Sequence, residues 1–302
     1  MTVSGYRTVL AGMVLGIAAG AASLAGAADA RAQGAQAPAA ASPAPGPVVQ
    51  VPGGSDEEIL KLVAKPVLDK ARGGDAAAQH FLYLAFTRAR GVPPDLPKAY
   101  HWAKLASDQG FPPGQVALGG FYQHGKVVKK DLAKAAALYR MAVEKDEPVA
   151  QLRLAMMLFR GEGMPRDETA AAQMMRKAAE KQVPLAAFMY GDMLTAGRGV
   201  REDRLAGLEW YHRAADWGWA LAAGKLATIY FGGEIVPKDK VDAAKWLSVT
   251  ISVAGAKNPV VKELIQLMLP NMTPEEKKAG SQQAQEYMTS HQEAFAKAMA
   301  LR

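Results

Sequence analysis

AAFMYGDMLTAGRGVREDRLAGLEWYHRAADWG (186–218) decides the fold. A run of mixed small and large apolar residues leads into a glycine-containing segment, meets Asp203, and gives way to a second amphipathic run. The aspartate belongs to a series: Asp95, Asp131, Asp167, Asp203 and Asp239 each stand 36 residues after the one before. Self-similarity at a period between about 20 and 50 residues marks a stacked array of like units.

Positions counted from each aspartate give the unit. Four later stand Ala99, Ala135, Ala171, Gly207 and Ala243; seven later, Trp102, Leu138, Met174, Trp210 and Trp246; eleven later, Ala106, Ala142, Ala178, Ala214 and Thr250. That spacing traces one face of a helix, and the aspartate suits its N-cap, where a carboxylate accepts free N–H groups at the positive dipole end. Upstream, large residues recur at nine and thirteen before (Phe86, Tyr122, Leu158, Leu194, Tyr230; Leu82, Leu118, Leu154, Tyr190, Leu226). Small ones recur at seventeen before: Ala78, Gly114, Ala150, Ala186 and Ala222. This is a second helix with a small face. The loops between, RARGVPPD, HGKVVKKD, RGEGMPRD, AGRGVRED and FGGEIVPKD, each hold glycine for positive φ. One helical pair cannot bury its apolar faces alone; stacked pairs can. The expected fold is all-α: a right-handed α/α solenoid of about five 36-residue helix–loop–helix repeats with helical caps, its concave face lined by the first helices.

The pattern resembles the Sel-one-like repeat (SLR) family, relatives of the tetratricopeptide repeat. The fourth unit carries it best, through Ala186, Tyr190, Gly191, Gly197, Gly199, Val200, Asp203, Trp210, Tyr211, Ala214, Ala215 and Gly218. The resemblance covers residues 73–255. It implies the fold and a scaffold or adaptor role, and bacterial members of the family are often exported.

Residues 1–30 read as a secretory signal: Arg7, an apolar Val9–Ala27 stretch, and small-x-small sites at Ala28-Asp29-Ala30 and Ala30-Arg31-Ala32. An uncleaved membrane anchor is the alternative. Residues 31–54, rich in Ala, Pro and Gly, are expected to form a disordered linker. Residues 55–72 form an N-terminal capping helix opened by a Ser55–Glu58 capping box. The repeats occupy 73–257 and C-terminal capping helices 258–302, with helix 259–269, Pro270, and a last helix opened by a capping box at Thr273–Glu276. The expected location is the periplasm or outside the cell.

The 302 residues hold no cysteine, so neither disulfides nor a lipid anchor through cysteine are available. Net charge is +7, with basic residues gathered in the intra-repeat loops. Such an edge attracts acidic partners, anionic glycan or a membrane surface, or is a solvated rim diluted by Glu162, Glu168, Glu202 and Glu234. Nucleic acid is not an expected partner. The chain lacks H-E-x-x-H, G-x-S-x-G and Walker patterns, and its five histidines are scattered. No catalytic residue, metal or cofactor is expected.

By analogy with the tetratricopeptide groove, exposed first-helix positions supply the candidate partner-binding residues His80, Arg88, Gln123, His124, Met156, Phe159, Arg160, Phe188, Asp192 and Thr228. For Met156, Phe159 and Phe188 the alternative is packing between repeats. Trp217 and Trp219, flanking Gly218, are candidates for an exposed indole pair or for packing onto the next helix. The expected function is an exported, non-catalytic scaffold holding a peptide or protein in its groove. A cell-wall or extracellular polysaccharide binder and a cell-wall-directed hydrolase are the other readings.

Overall fold

The computed structural model describes residues 65–87 and 95–300. Residues 1–64, and with them the signal, the linker and the Ser55 capping box, lie outside the described residues, as do Arg88 and Arg90. Among the described residues all regular structure is helical, and no strand occurs. After α1 (Lys65–Arg72) come five hairpins: α2 (Ala76–Thr87) with α3 (Leu96–Asp108), α4 (Pro112–His124) with α5 (Leu132–Glu144), α6 (Pro148–Arg160) with α7 (Glu168–Glu180), α8 (Pro184–Ala196) with α9 (Arg204–Asp216), and α10 (Ala220–Gly232) with α11 (Lys240–Ala254). The chain then forms α12 (Pro259–Met268), a 3-10 turn (Leu269–Asn271), α13 (Pro274–Ser290) and α14 (Gln292–Ala300).

The aspartate series sets the register through two bonds per hairpin. Each carboxylate accepts the N–H three residues on at 2.9 Å, in all five hairpins. Each aspartate N–H donates to the carbonyl nine residues back (Phe86, Tyr122, Leu158, Leu194 and Tyr230) at 2.9–3.0 Å. One residue thus starts the second helix and ties it to the last turn of the first. Pro112, Pro148 and Pro184 start their helices, where the missing N–H costs nothing. The first helices α4, α6, α8 and α10 end on Gly125, Gly161, Gly197 and Gly233 in the left-handed region.

The described chain divides into two compact units, one ending at Met174 and the other beginning at Met175, within α7. In the first, Leu82, Phe86, Trp102 and Phe121 form a buried cluster, and Tyr139 lies in a second with Leu154 and Met157. Tyr139 fits because α4 carries Gly119 beneath it; a Cβ there would stand 2.5 Å from the ring. In the second unit the same relation recurs: a Cβ on Gly191 would lie 2.9 Å from the Tyr211 ring and 3.0 Å from the Gly207 carbonyl oxygen. The aromatic of one helix therefore rests on the bare backbone of its partner.

Thr273 opens α13 with the expected reciprocal capping box: it accepts from Glu276 N at 3.2 Å, and Glu276 accepts from its N–H at 2.7 Å. The single last helix does not persist, however. Ser290 Oγ donates to the Tyr287 carbonyl at 2.8 Å and approaches His291 Nδ1 at 3.0 Å, so local side-chain bonds compete with the helix ladder and the chain restarts as α14. Gly280 lets α13 lie on α11, since a Cβ would meet that of Ala244 at 2.5 Å.

Candidate functional site

The first helices carry most of the expected partner-binding residues, and the structure divides that set by exposure. His80, Met156, Phe188 and Thr228 are buried, contrary to the expected exposure. His80 packs beside Tyr83 and Phe111, with ring centroids 5.3 and 5.9 Å away. Phe188, 2% exposed, tilts against Tyr211 at 5.6 Å. Thr228 Oγ1 donates to the Lys225 carbonyl one turn back at 2.7 Å. For Met156 and Phe188 the packing alternative is the one observed, because their unit's own core covers those positions. Phe159 and Gln123 are half-buried, while His124 and Arg160 are exposed. Arg160 faces Glu162 at 3.7 Å.

Among the described residues, a tyrosine hydroxyl of the second helix orients a polar residue of the first helix in each unit. In the first unit Tyr139 donates its hydroxyl to Gln123 Oε1 at 2.8 Å. In the second, Tyr211 donates to Asp192 Oδ1 at 2.6 Å and shares a 3.1 Å contact with Thr195 Oγ1. Lys225 Nζ stands 3.6 Å from the same carboxylate oxygen and 5.5 Å over the Tyr211 ring. Burial pushes the Tyr211 hydroxyl well above its ordinary value, and the Asp192 charge and hydrogen bond push it further. The phenol therefore stays a fixed donor, and Asp192, half-buried and anchored, keeps acceptor capacity toward solvent. This arrangement can orient a cation or N–H donor at Asp192 and an anion or carbonyl at Lys225. It offers no nucleophile beside a base.

Lys225 was not among the expected site residues. Its signal was available: it shares its repeat position with Arg153, two periods earlier. Both are half-buried cations on first helices.

Trp217 and Trp219 are half-buried rather than an open pair. Their backbones build the turn between hairpins: Trp217 N–H donates to the Arg213 carbonyl at 3.1 Å, Gly218 sits at φ 79°, and Trp219 N–H donates to the Ala214 carbonyl at 2.9 Å. The Trp219 indole N–H is buried without a hydrogen-bond partner among the described residues.

A further cluster joins the terminal helices to the fourth and fifth hairpins. Tyr287 donates to Asp216 Oδ1 at 2.5 Å, its ring stacks edge-on to Trp246 at 4.9 Å, and His291 lies 3.7 Å from the same carboxylate. His212 meets Trp246 at 5.2 Å and the Tyr230 hydroxyl at 3.2 Å. Burial pushes its imidazole below the ordinary value; Lys245 pushes the same way, while Asp216 and Asp242 oppose it. Among the described residues no group of three or more His, Asp or Glu side chains could hold a metal ion, and no helix is long and apolar enough to cross a membrane.

Comparison with known proteins supplies the remaining observation. The Sel1 repeat family matches five segments, 76–111, 112–147, 148–183, 184–218 and 220–248, together more than half of the chain. Among solved structures, the chain is similar to c5321, a protective antigen of uropathogenic Escherichia coli strains displaying an SLR fold. The identity is 26% and the TM-score 0.66 over 78% of this chain. The chain spans 50% of that antigen's length. It is also similar to a Sel1 repeat protein from Oxalobacter formigenes, with 27% identity, a TM-score of 0.61, and coverage of 78% of this chain and 93% of the other. No curated protein matches the chain.

Proposed function

Because the chain belongs to the Sel1 repeat family, we propose that it is a non-catalytic scaffold that holds an extended peptide or a helical segment of a protein partner against its first helices. Repeats of this family generally serve as protein–protein interaction scaffolds. The observation that carries the reading here is the Asp192–Tyr211–Lys225 grouping. Two opposite charges, both half-buried and pre-oriented on first helices, give a partner's backbone or side chains fixed anchor points at small entropic cost. Export, read from residues 1–30, belongs to the same proposal, and places the partner in the cell envelope or beyond.

Affinity capture from envelope extract with the full chain tests it. The expected result is one stoichiometric protein, lost with Asp192→Arg while the helical circular dichroism is retained. Unchanged capture by Asp192→Arg, or no stoichiometric protein with the parent chain, would contradict it.

A further inference from the structure

The loop of the second hairpin departs from its counterparts in a way that the repeat does not require. In the third and fourth hairpins the second left-handed position of the loop is glycine, Gly163 at φ 73° and Gly199 at φ 68°. In the second hairpin that position is Val127, at φ 69°. A β-branched residue there is strained by contact of its own side chain with the backbone. Packing does not compensate, because Val127 is 48% exposed. The next residue, Val128, already anchors the loop by packing against the buried cluster around Trp102 and Phe121. Val127 therefore costs stability and, unlike Val128, is not among the residues packed on that cluster.

The charges around it are also one-sided. Lys126, Lys129 and Lys130 are exposed, and none forms an ion pair among the described residues. The corresponding loops of the third and fourth hairpins carry Glu162 and Glu202, paired with Arg160 at 3.7 Å and Arg204 at 3.9 Å. Arg153, on α6, adds to the field: its Nε is buried without a hydrogen-bond partner among the described residues. The field is felt at His124 at the end of α4. Partial burial pushes that imidazole down first, and Arg153, Lys126 and Lys130 push it further, against a smaller opposing effect from Glu162.

We infer that loop 125–130 is a second docking element, in which Lys126, Lys129 and Lys130 meet an acidic protein segment and the exposed Val127 side chain makes the apolar contact at its centre. An acidic segment fits better than an anionic membrane. Sequence-readable lipid attraction takes clusters of about four to eight basic residues, and this loop offers three lysines and one small apolar side chain. A strained apolar tip amid unpaired lysines is the arrangement in which a partner supplies both the missing counter-charges and the missing cover. The element is separate from the Asp192 grouping, so either can fail without the other.

The test uses the full chain, a labelled glutamate-rich peptide carrying two leucines, and vesicles of phosphatidylglycerol and phosphatidylethanolamine. The peptide is expected to bind with an affinity that falls as salt rises. Lys126→Glu with Lys129→Glu is expected to weaken it by about tenfold or more, while Arg201→Glu with Lys238→Glu, the same change in net charge elsewhere, weakens it by less than about threefold. Val127→Gly is expected to raise the urea midpoint and lower the peptide affinity, two effects in opposite directions that a purely structural residue would not give. The inference is overturned by absence of peptide binding at low salt, by equal losses in the two double variants, by unchanged affinity in Val127→Gly, or by vesicles binding where the peptide does not.

Discussion

Tyr211 hands its hydroxyl proton toward Asp192 at 2.6 Å while its ring rests against the bare Cα of Gly191, one residue before that aspartate. One side chain thus fixes the spacing of a hairpin and orients the acid that its first helix presents. Tyr211→Phe keeps the ring and removes the hydroxyl. It is expected to lower stability by about 1–2 kcal/mol, measured by urea unfolding, because a half-buried carboxylate loses a charge-assisted donor. An unchanged midpoint would show that Lys225 and solvent satisfy the Asp192 carboxylate unaided.

The same close approach makes Gly119 sensitive to a single methyl. A Cβ there would stand 2.5 Å from the Tyr139 ring. Gly119→Ala is expected to destabilise by about 1–3 kcal/mol through overpacking. Adding Tyr139→Leu should return part of that loss, since the fifth repeat holds Ala227 and Leu247 at these two positions. Additive losses in the double variant would contradict the pairing.

Acid should loosen the fold before carboxylates titrate. Burial pushes His212, His101 and His124 below their ordinary value. A base depressed in the fold is protonated first in the unfolded chain. Its stability is therefore complete above about pH 6.5 and is lost as pH falls from there through the folded value. The urea midpoint should fall between about pH 7.5 and 5.5, and His212→Phe should flatten the fall. A midpoint that rises on acidification would be incompatible with imidazoles that partial burial holds neutral.

Tyr287 closes the C-terminal end of the fifth hairpin, over Trp246, which is only 2% exposed. Tyr287→Ala should cost about 2–3 kcal/mol and shift tryptophan emission to the red. Unshifted emission would mean that other side chains keep Trp246 dry.

The hairpins were legible because their determinants are local and periodic. Asp131 and Asp203 cap helices that begin one residue later, and both bonds each of them makes lie within ten residues. The break at Ser290 was not legible, since a serine bonding back one turn leaves no pattern. The candidate site was legible only in part. Gln123 and Asp192 are half-buried on first helices, as a groove reading requires. His80, Met156, Phe188 and Thr228 are not accessible, because burial at those positions depends on how neighbouring helices cover them. Phe188 is covered by Tyr211, and the residues that share its register position, His80, Val116 and Leu152, are buried as well. Lys225 shares its repeat position with Arg153 but lies outside the tetratricopeptide groove register, so its place beside Asp192 shows only in the folded chain.

Photo-cross-linking in living cells tests the scaffold proposal most directly. A photoreactive residue at Ala196, exposed at the end of the first helix α8, is compared with one at Arg213, exposed on the second helix α9. The proposal predicts one discrete protein adduct from Ala196 and none from Arg213. No adduct from Ala196, or the same adduct from both positions, would contradict a partner held on the first-helix face.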